Sequence, residues 1–346
     1  MRLARPTWHG GAGLIAALAP LLTSAVCSQA AFAQQLIRAA PGVNAQLARL
    51  QFRIVGGRLQ ATNDTPGGRL GFQARSLGRE ETLTVDLSGP FPSVDYAITT
   101  RKSRVQIVIS DGQRVSASCQ PHPRSTVVAM QFEQSPGLPL VLRVGAEGDQ
   151  RQFQAASLWH LFLSEPEVAS KHLTPILNVL RPDWRLDEQA AEIERRLIDL
   201  AAVYHPPDQA KLAALVEQLG HEDFGARQRA ERSLREMGTA AVGYLRTLPA
   251  EALDAEQRFR VRRIVASLWS ADEEDQPPQA AQRLQHDPEV WLALWARPDA
   301  TRRHVAARHL GRLLGHEIEL ELALDPAARE EQLARLRAQF NRRDEP

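Results

Sequence analysis

The sequence predicts an α+β chain: an N-terminal antiparallel β-sandwich or open barrel, followed by a C-terminal α-solenoid of stacked helix pairs. Three observations carry that expectation. Apolar residues alternate from about Leu50 to Phe153, the period lengthens to that of helices near Ala155, and one helical register recurs three times between Asp223 and Leu310. The organisation implied is a leader over residues 1–33, a β-rich domain over 34–153, a helical connector over 154–207, and a helical repeat domain with a C-terminal cap over 208–346. A chain of 346 residues is long enough to bury two cores.

The leader has the three parts of a secretory signal. Arg2 and Arg5 precede an apolar stretch from Gly11 to Val26, and Ala31-Phe32-Ala33 forms a small-x-small site, so cleavage is expected after Ala33. Pro20 breaks the apolar run and no comparable stretch follows, which predicts an exported, periplasmic or secreted protein without a transmembrane span after cleavage. Cys27 raises a rival, lipid anchoring, against which Val26 fits poorly at the position where such sites use a small residue. With Cys27 removed, Cys119 is the one remaining cysteine, which excludes an internal disulfide and a cysteine-rich zinc site.

The β-rich segment follows from period-two runs: Leu50, Phe52 and Ile54; Leu83, Val85 and Leu87; Val105, Ile107 and Ile109; Val128, Met130 and Phe132. Asp111-Gly112 divides the run from Arg104 to Ser118 into a hairpin, because glycine accepts the positive φ that a tight turn needs. Turn signals recur at Thr65-Pro66-Gly67-Gly68, Ser88-Gly89-Pro90, Pro121-His122-Pro123 and Ser135-Pro136-Gly137, which implies about eight short strands. This segment holds fourteen basic against nine acidic residues, and 154–346 holds 26 against 32. The opposed signs favour docking of the halves on each other. So modest a basic excess argues against a nucleic-acid binder.

In the helical half, Ser164 with Glu167 three residues on, beside Pro166, reads as a capped helix start, and Leu173, Ile176, Leu177 and Leu180 mark a face that ends before Pro182. Asp187 opens a second helix with Ala190, Ile193, Leu197, Leu200 and Ala201 inward, stopped by His205-Pro206-Pro207-Asp208. The repeat then begins. Asp223, Arg227, Ala230, Arg232 and Leu234 are matched in spacing by Asp254, Arg258, Val261, Arg263 and Val265, and by Asp299, Arg303, Ala306, Arg308 and Leu310. Asp near a helix start favours the positive end of the dipole and caps free amides. The small or apolar residue lets helices approach, and the first Arg reaches back to carbonyls or carboxylates between units.

This register resembles the HEAT and HEAT-like, armadillo-type bacterial repeat family over about Gln209 to Gly315. The resemblance implies first helices at 209–219, 240–248 and 290–296, and second helices at 224–237, 255–269 and 300–314. The acidic segment Ala271 to Pro278 interrupts the array before the third pair, and a helix from Pro326 through Phe340 closes it. A stack of this kind shares one apolar seam and leaves a concave side for a partner.

No catalytic residue, cofactor site or metal site is expected. His304 and His309 are five apart and off one helical face, while His205, His221, His286 and His316 fall at helix ends or loops. Gly67, Gly68 and Gly71 lie between strands with no following helix to receive a phosphate. Glu273, Glu274 and Asp275, beside Pro277-Pro278, read as solvated charge. Trp291 and Trp295, four apart, are expected as a packing ridge, with partner anchoring as the rival. The function expected is an exported protein-interaction scaffold. The alternatives are a β-domain module for envelope glycan or peptide and, more weakly, a lyase-like accessory role of the sort the HEAT-like resemblance implies.

Overall fold

In the computed structural model, residues 39–63, 67–146, 148–204, 208–246, 248–268, 273–314 and 325–341 are described. The leader with Cys27, Thr65-Pro66, His205-Pro206-Pro207, Trp269, Ala271-Asp272, Gly315 and His316 lie outside the described residues.

The chain is mixed α+β. Helix α1 (Pro41–Leu47) starts on a proline and buries Val43 and Leu47, one turn apart. Strands β1 (Gln51–Val55) and β2 (Arg58–Thr62) pair through a Gly56-Gly57 turn with φ of 61° and 73°, a left-handed pair that a two-residue hairpin requires. Eight further strands follow: β3 (Arg69–Ser76), β4 (Arg79–Asp86), β5 (Ser93–Thr100), β6 (Ser103–Ser110), β7 (Arg114–Pro121), β8 (Met130–Gln134), β9 (Leu140–Val144) and β10 (Arg151–Ala155). They form one antiparallel sheet in sequence order, each strand beside the next, with β3 and β10 as its edges.

Alternation places Leu83, Val85, Tyr96, Ile98, Ile107, Ile109 and Phe132 on a single buried face. That face shares its core with Phe52, Ile54, Leu59 and Ala61 of the β1–β2 hairpin and with helices, so the covering layer is a two-stranded ribbon and helices. The β6–β7 turn shows why its glycine is needed. Asp111 and Gly112 have φ of 54° and 66°, the Gly112 carbonyl accepts the Ala61 amide at 2.7 Å, and a Cβ at 112 would stand 2.5 Å from the Ala61 carbonyl oxygen.

After the sheet, α2 (Leu158–Ser164) is capped by Ser157. Helix α3 (Pro166–Val168) runs through a π-helical turn (Ala169–Leu173) into α4 (Thr174–Leu180). The cap expected at Ser164 is displaced: Ser164 ends α2 and donates to the Leu161 carbonyl at 3.4 Å, and Glu165 stands at the start of α3 without a side-chain cap. Then come α5 (Leu186–Val203), α6 (Gln209–Leu219), α7 (Phe224–Glu236), α8 (Thr239–Arg246), a short 3-10 turn (Ala250–Ala252) and α9 (Ala255–Leu268). The series ends with α10 (Pro277–Leu284), α11 (Pro288–Trp295), α12 (Ala300–Leu314) and α13 (Pro326–Asn341).

Two cores result. The larger joins the sheet face, the hairpin, α1 to α5, α10 to α12, and Leu333 and Leu336 of α13. The smaller lies among α6 to α9, around Leu212, Leu219, Ala230, Leu234, Ala241, Leu245 and Ile264. One apolar seam through three repeat copies is therefore not what the packing gives. The first two copies share the small core, and the third, in α12, belongs to the large one. The reason is α5, whose buried Ala190, Ile193, Leu197 and Ala201 receive α10 and α12. Glu194 of α5 also binds Arg297 at 3.1 Å and Arg302. Helix α5 thus takes the place that a preceding repeat would hold.

Candidate functional site

The three repeat copies adopt one local geometry. Asp223 accepts the Gly225 and Ala226 amides at 3.2 and 2.8 Å, Asp254 the Gln257 amide at 2.7 Å, and Asp299 the Arg302 amide at 2.8 Å. Each first arginine folds back on carbonyls that precede its helix: Arg227 on His221 and Glu222 at 2.7 and 2.9 Å, Arg258 on Leu253 at 2.8 Å, Arg303 on Arg297 and Pro298 at 3.1 and 2.7 Å. Ala230, Val261 and Ala306 are buried at helix contacts, as are Leu234 and Leu310.

In the small core, α7 and α9 lie side by side and parallel, because partners across them keep a separation of 29 to 32 residues along both helices. Arg263 meets Glu231, and Arg235 meets Ser267. Glu231 is buried and accepts from Arg260 at 2.7 Å, from Arg235 at 2.8 Å and from Arg263. Burial opposes its charge, and the guanidinium bonds outweigh burial, holding its carboxyl below the usual glutamate range. Outward of this ladder, Phe224 and Phe259 are 59% and 52% exposed. Arg227 and Arg260 lie over the Phe224 ring at 5.5 and 5.9 Å, and Arg263 over Phe259 at 5.7 Å. The two helices carry eight arginines and three glutamates, a local excess of five positive charges in a half that is acidic overall. Neither phenylalanine was singled out in the sequence, although each falls off its helix's apolar stripe, and that misfit was the available signal.

Three other polar clusters hold the protein together. Asp275, expected in solvent, is 4% exposed. Its carboxylate accepts the Gly56 and Gly57 amides at 3.0 and 2.6 Å and the Trp159 indole at 2.7 Å, and it pairs with Arg283. Neighbouring Glu274 binds Arg181 at 2.5 Å beside an open cleft of about 390 Å³ lined by α1, β1 and the end of α4. Of the three acids, Glu273 alone is exposed.

Ser157, His160 and Asp287 form a hydrogen-bonded chain, 2.8 Å from the serine hydroxyl to Nδ1 and 3.0 Å from Nε2 to the carboxylate. That order of groups is the order of nucleophile, base and orienting acid. Here it joins two helix caps, Ser157 of α2 and Asp287 of α11. Ser157 is 6% exposed, and a Cβ at Gly57 would stand 2.5 Å from its hydroxyl, so the hydroxyl is packed against the β1–β2 turn.

Tyr204 lies 5.6 and 4.4 Å from the rings of His286 and His309, and Trp291 lies 4.0 Å from His309. His309 Nε2 donates to the Gln285 carbonyl at 2.8 Å, and burial pushes both histidines down to about 4. His286 follows the end of α10, in keeping with its expected place at a helix end or loop, and packs against α8, where a Cβ at Gly243 would stand 2.8 Å from its own Cβ.

Trp291 and Trp295 are fully buried, and the Trp291 indole donates to the Gln285 carbonyl at 2.7 Å. They are core, and the anchoring role weighed for them is excluded by that burial. Burial also pushes the Cys119 thiol up, which suppresses thiolate. Among the described residues, no cluster of three metal-ligating side chains occurs, and no helix is long and apolar enough to cross a membrane. No protein-family model matches the chain, and neither the curated proteins nor the solved structures yield a match.

Proposed function

We propose that the chain is an exported protein-interaction scaffold, in which α6 to α9 act as a short HEAT-like solenoid displayed on a rigid platform made by the sheet and the remaining helices. The observation that carries this reading is the outward face of α7 and α9, where two half-exposed phenylalanines stand on a pre-ordered ladder of ion pairs. Stacked helix pairs present such faces at fixed spacing and bind with little rearrangement. Aromatic and arginine side chains are the types enriched where partners bind. Export is supported by the basic, apolar and small-residue parts of the first 33 residues.

The test uses the full chain in cells, with a photoreactive residue at Gln228 on α7 and, as a control, at Arg114 on the sheet. A discrete protein adduct is expected at 228 and absent at 114. Equal labelling at both positions, or none at 228, overturns the reading. Recovery of a chain that begins at Gln34 from the periplasm or medium checks export, and retention of the leader in the cytoplasm counts against it.

A further inference from the structure

We propose that the seam between α7 and α9 binds an acidic peptide segment bearing apolar side chains; this rests on the scaffold reading above and names the chemistry of its partner. Phe224, Gln228 and Arg232 recur every four residues on α7, which keeps them on one side of the helix, and Phe259 and Arg263 do the same on α9. Parallel packing, with partners 29 to 32 residues apart, sets these two rows beside the Glu231 ladder, to which Arg263 itself belongs. The rings at 224 and 259 are more than half exposed, so this chain leaves most of their apolar area uncovered.

The arginines beneath the rings are fixed before any partner arrives. Arg227 is held by two carbonyls, and Arg260 by Glu231 and Glu256. Holding them in place lowers the ordering cost of binding. Arg232 is exposed, and its guanidinium plane suits a carboxylate, while half-exposed Arg263 is already paired with Glu231. Charge decides between polyanions. Glu231 and Glu256 lie in or beside the seam, and the helical half carries 32 acidic against 26 basic residues, so a continuous phosphate backbone meets repulsion that spaced carboxylates avoid. Helix α7, with 13 residues, gives a row about 20 Å long, room for roughly six extended residues.

The test measures fluorescence anisotropy of the full-length protein with a labelled twelve-residue peptide of alternating glutamate and leucine. A lysine-leucine peptide of the same length and a twelve-base oligothymidine serve as comparisons. The acidic peptide is expected to bind, the basic one not, and affinity to fall as salt rises. Arg232→Glu, and separately the pair Phe224→Ser with Phe259→Ser, each raise Kd by about tenfold or more, as loss of central contacts does, while Arg114→Glu on the sheet leaves it unchanged. Should the double variant unfold, Arg232→Glu alone still decides. Equal Kd in wild type and Arg232→Glu overturns the proposal, and so does stronger binding of oligothymidine or no binding of the acidic peptide. In those cases a photo-adduct at Gln228 leaves the scaffold reading standing, whereas peptide binding at the seam without any cellular adduct removes the scaffold reading and keeps the site.

Discussion

The two cores use the same helical register in opposite ways. In the large core the third copy lies under Trp291 and Trp295 and against α5, in one core with the β1–β2 hairpin, whose turn is bonded to Asp275 from 218 residues away. In the small core the first two copies meet through aliphatic side chains and through an ion ladder built on the buried Glu231 and Arg260. The Asp, Arg, Ala and Leu positions therefore specify how one helix starts and how its predecessor is tied to it. They do not specify what the pair stacks on. The neighbour with an uncovered apolar stripe decides that, and before the third copy this neighbour is α5.

Each side of the comparison can be broken by one substitution. Asp275→Ala strands two amides, an indole and Arg283 in the large core, and the expected loss is about 4 kcal/mol in denaturant melts. Amide exchange should quicken in β1, β2 and α10 first, and α7 should keep its protection. Glu231→Gln leaves three guanidinium groups short of a charge, one of them buried, and the expected loss is about 2 kcal/mol, read as faster exchange in α7 and α9 with the sheet unchanged.

The joint between the cores responds to acid. His286 and His309 are held neutral with folded values of about 4 against an ordinary value near 6.5. The unfolded chain binds protons first as pH falls, so stability is full above about 6.5 and declines toward 4, by up to ~1.4 kcal/mol per pH unit for each histidine. The Tm of His309→Phe, plotted over that window, should fall less steeply than that of the wild type, and a parallel fall rejects the assignment. The smallest effect is at a cap: Asp254→Ala removes the bond to the Gln257 amide and lowers stability by about 1 kcal/mol, confined to the small core.

Local order was legible in the sequence wherever periodicity is long or a turn has its own chemistry. The Asp111-Gly112 hairpin and the span of α5 follow from alternation, left-handed glycine and an 18-residue stripe. Helix α2 escaped because seven residues with Leu158, Trp159, Leu161, Phe162 and Leu163 all buried have no polar side to set a period. By sequence, the first two residues of α10 fall in the acidic linker Ala271 to Pro278, although Pro277 stands at the helix's first turn. Asp275 reads as solvated charge because Gly56, Gly57 and Trp159 are remote in sequence, and no local pattern reveals them. The candidate face is half legible: Phe224 and Phe259 fall off their helices' apolar stripes, but the parallel packing that brings their rows together has no local sign.

The bond from Asp275 to Gly57 also bears on the order of folding. A nascent chain that has emerged only as far as residue 207 contains every strand of the described residues, yet the carboxylate that accepts the first hairpin's amides does not exist. Contacts this distant slow the search for the native state, since the intervening loop must be closed before they repay it. The N-terminal half should thus stay pliant until translation is nearly finished, a state that would suit the proposed export.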